Sequence, residues 1–212
     1  MNAYWIPDRE WNGQDCFLIG GGPSLRRFDF QLLSGRNTIG CNDACRLGND
    51  IIKIGCFGDL AWWMRQALPD LKEVFTNRLV TNAGLEGWDV PQLLKMKRVR
   101  DGLHDGDTLG WNYSTGAMAI NLAISLGAQR IFLLGYDLCN SAAKESHWHK
   151  FNTTLTKDKA FERFMRGFLT IRKELPAGVE VLNVTDGTSR LTCFPFMDFQ
   201  AFHDYLKLEV AA

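Results

Sequence analysis

The sequence predicts an α/β fold in which a mostly parallel sheet is flanked by helices. Three observations predict it. A short apolar run, a turn and a helical pattern recur along the chain, which is the signature of βα units. The run Ile131-Phe132-Leu133-Leu134 is apolar on both faces, as a central parallel strand is. The first run, Cys16-Phe17-Leu18-Ile19, passes directly into Gly20-Gly21-Gly22-Pro23, a turn that lets the backbone approach a neighbour closely. Together they describe one Rossmann-like domain over residues 1–212, with its core at about 15–196, a length that suits a single domain.

Taken in order, Cys16 to Ile19 is the first strand, Gly20 to Pro23 turns the chain, and Ser24 is placed to cap the segment that follows. Thr38-Ile39-Gly40-Cys41 reads as the second strand, ending at Asn42. Ile51 to Phe57 is a third, ending at Gly58-Asp59, with a helix from Leu60 to Leu68. Between Val74 and Val99 the pattern is less regular: Leu79-Val80-Thr81 and Lys97 to Arg100 read as short strands, and Pro91 breaks any long helix. Asp101 to Asn112 is rich in turn formers and reads as a loop. Ser114 or Thr115 caps a helix running to Leu126, and Gly127 stops it at the expected C′ position. That helix is apolar nearly all round, so it is expected to be buried. After the Ile131–Leu134 strand come a polar loop from Asn140 to Thr156, an amphipathic helix from about Lys157 to Leu175, and a last strand from Val179 to Val184. The remainder reads as irregular structure with many aromatics.

Composition narrows the function classes. Lys plus Arg and Asp plus Glu number 24 each, so the chain lacks the basic excess that displaces counterions from nucleic acid. Its basic cluster, Lys95, Lys97, Arg98 and Arg100, reads as a solvated face. Six cysteines at 16, 41, 45, 56, 139 and 193 form no C-x-x-C pair and suggest neither a disulfide framework nor a zinc site. Cys16, Cys41 and Cys56 lie in apolar runs, where a free thiol acts as a small buried hydrophobe. Met1 to Trp11 lacks the apolar core of a signal peptide, and no apolar run approaches the roughly 20 residues that span a bilayer. A cytoplasmic protein is expected.

Candidate chemistry gathers at the strand ends, beyond which open parallel sheets bind ligands. Free N–H groups in the Gly20–Gly22 turn would form an anion-binding nest, helped by the positive end of a helix starting just beyond. The turn is neither the dinucleotide fingerprint nor the Walker loop. Asn42 is suited to read a base or ribose edge, Asp59 to take a hydroxyl, and Asp43 and the Gly135-Tyr136-Asp137 segment close two further strand ends. Ser114, Thr115 and Gly116 open a helix whose start can hold a phosphate or a carboxylate, or serve as simple capping residues. His147 and His149 lie in a polar loop, where a neutral imidazole can accept a proton from an attacking hydroxyl. As H-x-H they share one face of an extended segment, but no third metal ligand stands out.

The order of strand-G-G-G-P-S-L, Cys41-Asn42-Asp43, Ser114-Thr115-Gly116 and Ile131 to Asp137 resembles the bacterial CMP-sialic-acid-dependent sialyltransferases acting on lipooligosaccharide. It also resembles a wider group that includes MptE-like 6-hydroxymethylpterin diphosphokinases and Maf flagellin glycosyltransferases. Small phage- and prophage-borne members share Phe57-Gly58-Asp59-Leu60-Ala61-Trp62-Trp63 and a G-Y-D followed by H-W-H. The likeness runs from about Asp15 to Phe196. It implies a nucleotide-sugar glycosyltransferase with a small-molecule nucleotide donor and a hydroxyl acceptor. By that likeness Gly20, Gly21, Gly22, Asn42, Ser114, Thr115 and Gly116 would contact the donor. Pro23, Ser24, Asp43, Asp59, Tyr136 and Asp137, placed by the turn and the strand ends, would complete its site. The general base would be His149 or His147, with His149 favoured, and no metal or other cofactor is required. Gly21 departs from the Asn those transferases carry, and Cys139 stands where the first of their two tyrosines is expected. The diphosphokinase alternative brings ATP and Mg²⁺, with Asp43, Asp59 and Asp137 to place the metal. A third alternative is a phage accessory protein that keeps the pocket without the chemistry. Oligomeric state stays open.

Overall fold

The computed structural model describes residues 4–64, 71–84 and 90–211. Its centre is an eight-stranded sheet made of β1 (Asp15–Ile19), β2 (Thr38–Cys41), β3 (Ile54–Phe57), β4 (Arg78–Thr81), β5 (Leu93–Lys95), β8 (Arg130–Leu134), β9 (Glu180–Val184) and β10 (Phe196–Met197). The spatial order is β10-β9-β8-β1-β2-β3-β4-β5, and every pair of neighbours is parallel. The two short strands β6 (Lys97–Val99) and β7 (Thr108–Gly110) form a separate parallel pair. The α/β expectation holds.

Period-two alternation builds a core on each face of the sheet. From β1, Cys16 and Leu18 enter one apolar cluster, while Phe17 and Ile19 enter the other. β8 divides in the same way, Ile131 and Leu133 against Phe132 and Leu134, as expected where successive side chains point to opposite faces. Phe17 and Phe132 are register partners and stack with centroids 5.1 Å apart. All six cysteines are free, and Cys16, Cys41, Cys45 and Cys56 are buried.

Helix α3 (Thr115–Ser125) covers the first face, buried nearly all round as its sequence predicts. Ser114 caps it by accepting from the Ala117 N–H, and Gly127 closes it at φ 93°. Helix α4 (Asp158–Glu174) packs beside it with Gly167, Phe168 and Ile171 buried. At Gly167 a Cβ would stand 1.9 Å from the Asn112 carbonyl oxygen, so only glycine lets the loop before α3 press onto α4.

Several elements differ from expectation. The third strand begins at Ile54 rather than Ile51. The helix expected from Leu60 to Leu68 is a single α-turn, α1 (Leu60–Trp62), and residues 65–68 lie outside the described residues. A further turn, α2 (Leu71–Val74), precedes β4. β5 had no sequence signal, and β7 occupies part of the expected Asp101–Asn112 loop. The aromatic C-terminal segment is ordered as β10 and helix α5 (Phe199–Ala211). Phe202 and Leu206 are buried against the second face, where the Phe202 ring lies 5.9 Å from Phe17 and 5.3 Å from Phe132. That second layer is what the irregular reading missed.

Candidate active site

β1 and β8 are neighbours, yet the chain leaves them in opposite directions across the sheet: β1 leads to β2, β8 to β9. Such a reversal opens a crevice at the carboxyl ends of the strands. A cavity of about 550 Å³ lies there, lined by the segments that follow β1, β2, β3 and β8, by the start of α3 and by the flank of α4. Gly20, Gly21, Gly22, Asn42, Asp43, Asp59, Ser114, Thr115, Gly116, Tyr136, Asp137, His147 and His149 all line it. Residues far apart in sequence thus meet in one hollow. Pro23 and Ser24 are not among its lining residues.

The glycine turn is built differently from an anion nest. Gly20 N–H donates to Leu134 O and Gly22 N–H to Gly135 O, both at 2.8 Å. Ser24 donates its N–H and its hydroxyl to the two oxygens of Asp137, both at 2.7 Å. Most of the amides expected to hold an anion are therefore committed to the segment after β8. None of the three glycines has a positive φ, and the helix beyond is one 3₁₀ turn, Pro23–Arg27, with no side-chain cap. The expected capping role of Ser24 and the expected helix dipole are both absent from this turn. Close approach is what demands glycine here. A Cβ would stand 2.7 Å from Gly135 O at Gly20, 2.8 Å from His147 Nδ1 at Gly21 and 2.5 Å from Asp137 Oδ2 at Gly22.

Tyr136 forms the floor. Its ring lies between Gly20 and Gly116, at each of which a Cβ would come within 3.2 Å of it. The hydroxyl is 3.3 Å from Gly116 O and 3.4 Å from Cys41 Sγ. Burial pushes the phenol well above its ordinary pKa, so it stays neutral. Burial also raises the Asp137 carboxyl, against the lowering effect of the Ser24 hydrogen bonds.

On the next strand ends, Asn42 takes a left-handed φ of 53°, a conformation Asn tolerates better than most residues. Its Oδ1 accepts from the Thr115 hydroxyl at 3.2 Å, and Thr115 Oγ1 accepts from Gly58 N–H at 3.2 Å. Asp59 caps α1 through Oδ1, and buried Asp43 pairs with Arg46 at 3.4 Å. The three carboxylates proposed for Mg²⁺ thus each have another partner. Among the described residues, no group of three or more His, Cys, Asp or Glu side chains is placed to hold a metal ion.

His147 and His149 stack face to face, centroids 5.1 Å apart and planes within 9°. The Nδ1 atoms of both are buried without a hydrogen-bond partner. Burial lowers both pKa values, His149 to about 4, while the Asp43 carboxylate pulls the other way. The positive charge of protonated His147 further disfavours that of His149. Both imidazoles are therefore neutral near pH 7.

Several residues at the site are assigned no role of their own by the sequence. Trp148, between the two histidines, donates its N–H to Gly21 O at 3.0 Å and its indole N–H to Gly20 O at 2.9 Å. Arg98, read as part of a solvated face, stands at the cavity rim with its guanidinium carbon 4.1 Å from the centroid of Trp111. Phe161, Arg163 and Phe164 reach the cavity from α4. Tyr113 and Leu138, which also line it, and Asn112 beside it hold positive φ values of 64°, 50° and 50°. Unfavourable backbone of this kind costs roughly 1–3 kcal/mol per residue and concentrates at ligand sites.

No family model and no curated protein matches the chain. Among solved structures it is similar to the sialyltransferase CstII from Campylobacter jejuni in complex with cytidine-5′-monophosphate, described as a substrate analogue, at 13% identity and a TM-score of 0.48. That similarity covers 88% of this chain and 85% of the other. The same sialyltransferase with CMP-3FNeuAc gives 13% identity and a TM-score of 0.47 over 86% and 85%.

Proposed function

We propose that the chain is a nucleotide-dependent transferase that moves a glycosyl group from a CMP-type donor to a hydroxyl acceptor. One observation carries the reading: two neutral, stacked imidazoles stand over Gly21 in a cavity at the topological switch point of a parallel sheet. The order of motifs along the sequence supports the donor class.

In this reaction the acceptor oxygen attacks the anomeric carbon of the donor. The bond from that carbon to the phosphate oxygen breaks, and the nucleoside monophosphate leaves with the electron pair. The acceptor proton passes to the histidine pair. Groups that interact this closely titrate as a unit. Asp43 favours a proton on either ring, and a proton on His147 opposes a second on His149. The pair thus accepts one proton per turnover and returns it to solvent. General base catalysis of this type contributes about 10²–10⁴-fold. Asn42, Thr115 and Ser114 would face the nucleotide, and Tyr136 would support it from below.

Calorimetric titration with CMP, CDP, UDP and GDP tests the reading, followed by assays of CMP-sugar turnover with and without acceptor. Binding of a cytidine nucleotide and slow donor hydrolysis are expected. No binding by any nucleotide, or ATP consumption abolished by EDTA in place of sugar transfer, overturns it.

A further inference from the structure

The glycine amides that would receive negative charge are largely consumed. Among the described residues two arginines line the cavity, Arg163 from α4 and Arg98. The Arg98 guanidinium lies over the Trp111 indole at 4.1 Å and donates one N–H to Gly58 O at 3.1 Å. The Trp111 main chain is anchored beside β6, its backbone N–H donating to Val99 O at 2.9 Å. At Gly58 a Cβ would stand 2.9 Å from the indole, so glycine is what lets strand end, indole and guanidinium close up.

Arg98 makes no ion pair with a described carboxylate. Asp59 acts on it electrostatically, but its Oδ1 is occupied by the amides of α1. The neighbouring basic residues differ: Lys97 pairs with Asp107 and Arg100 with Asp101. A guanidinium carries five N–H donors in a rigid fork that suits planar oxyanions. Held by a ring face and one carbonyl, Arg98 has donors left over and little orientational freedom left to lose on binding.

We infer that the substrate's oxyanion, a phosphate or a carboxylate, binds at Arg98 on the cavity rim, on the side of Gly58 and Trp111, rather than in the glycine turn. The inference deepens the transferase reading and rests on it for the shape of the ligand, not for the charge. Arg163, also at the rim and stacked over Phe164, is a separate cation from α4.

Titration of the wild type, R98Q and R98K with cytidine, CMP, inorganic phosphate, N-acetylneuraminate and its methyl ester tests it. Thermal melting confirms that the variants fold, as expected for an exposed side chain. Charge-assisted hydrogen bonds predict a loss of about tenfold or more. If the anion is the phosphate, R98Q weakens CMP and leaves cytidine unchanged. If it is the sugar carboxylate, R98Q weakens N-acetylneuraminate and leaves the ester unchanged. R98K recovers only part of either loss. Equal affinity of R98Q and wild type for every anion overturns the inference while leaving nucleotide binding intact, and so does wild type that binds none of the anions. An Arg98-dependent anion with no affinity for CMP or cytidine sustains the inference and removes the nucleotide reading.

Discussion

Trp148 is hydrogen-bonded to Gly20 through its indole, Nε1 donating to the carbonyl at 2.9 Å across a sequence separation of 128 residues. With the backbone bond to Gly21 O, this ties the histidine loop to the turn after β1. The indole also packs 4.7 Å from the Phe30 ring. Trp148→Phe keeps most of that packing and removes the indole N–H. It is expected to cost about 1 kcal/mol of stability and to lower turnover roughly tenfold or more through misplacement of the imidazoles. Denaturant melts and steady-state kinetics separate the two effects, and an unchanged kcat would mean that the tie does not position the histidines.

Gly21 and Gly22 separate catalysis from folding. At Gly21 an added Cβ meets the imidazole of His147, which can swing away. Gly21→Ala is therefore expected to fold with a stability loss under about 1.5 kcal/mol and to lose turnover about 10²-fold. At Gly22 the Cβ meets Gly135 O at 2.6 Å and the buried Asp137 carboxylate at 2.5 Å, and neither can yield cheaply. Gly22→Ala is expected to cost about 3 kcal/mol or more and to reduce soluble yield. The opposite ranking in melting experiments would show that the two clashes are relieved in some other way.

Asp137 makes the corresponding point from the other side of the turn. Both of its oxygens accept from Ser24, so its contribution is to the shape of the turn. Asp137→Ala leaves the Ser24 N–H and hydroxyl without these partners and is expected to cost about 2–4 kcal/mol. Ser24→Ala removes only the hydroxyl bond and is expected to cost about 1 kcal/mol. Equal, negligible losses in chemical denaturation would show that the turn holds without this link.

What the sequence reveals follows from how local each signal is. β1 and β2 are legible as short runs that end at a turn former, and α3 because a Ser114 cap opens an apolar stretch that Gly127 closes. That Gly20, Asn42, Asp59 and Tyr136 share one cavity is legible from the rule for parallel sheets, whereas Ser114 joins them only through the family resemblance. The reason for the glycines is not legible, since the atoms they avoid lie on residues 135 to 147. The three-residue strands β5 and β7 carry no period; β6 reads as a strand, but Arg98 within it reads as one charge of a basic run. α5 was readable in principle: Asp198 accepts from Ala201 N–H at 2.7 Å, and Phe199, Phe202 and Leu206 follow at helical spacing. Its dense aromatics read instead as irregular chain.

The histidine pair also predicts the acid limb of stability. His149 titrates at about 4 in the folded protein, against about 6.5 in the unfolded chain. Between these values the unfolded state binds more protons, so stability falls as pH drops from about 6.5 toward 4. His147, lowered by the same burial, adds in the same direction. Asp137 opposes them, because its raised pKa lets the folded state take up a proton before the unfolded one does. Its effect comes from a group pinned by Ser24 on the far side of the glycine turn, so a histidine variant leaves it in place. His149→Gln is therefore expected to shrink the loss of stability between pH 7 and pH 4.5 while leaving the value at pH 7 nearly unchanged. Melting temperatures of the two proteins across that range decide it: parallel curves would show that the imidazole is not held neutral by the fold.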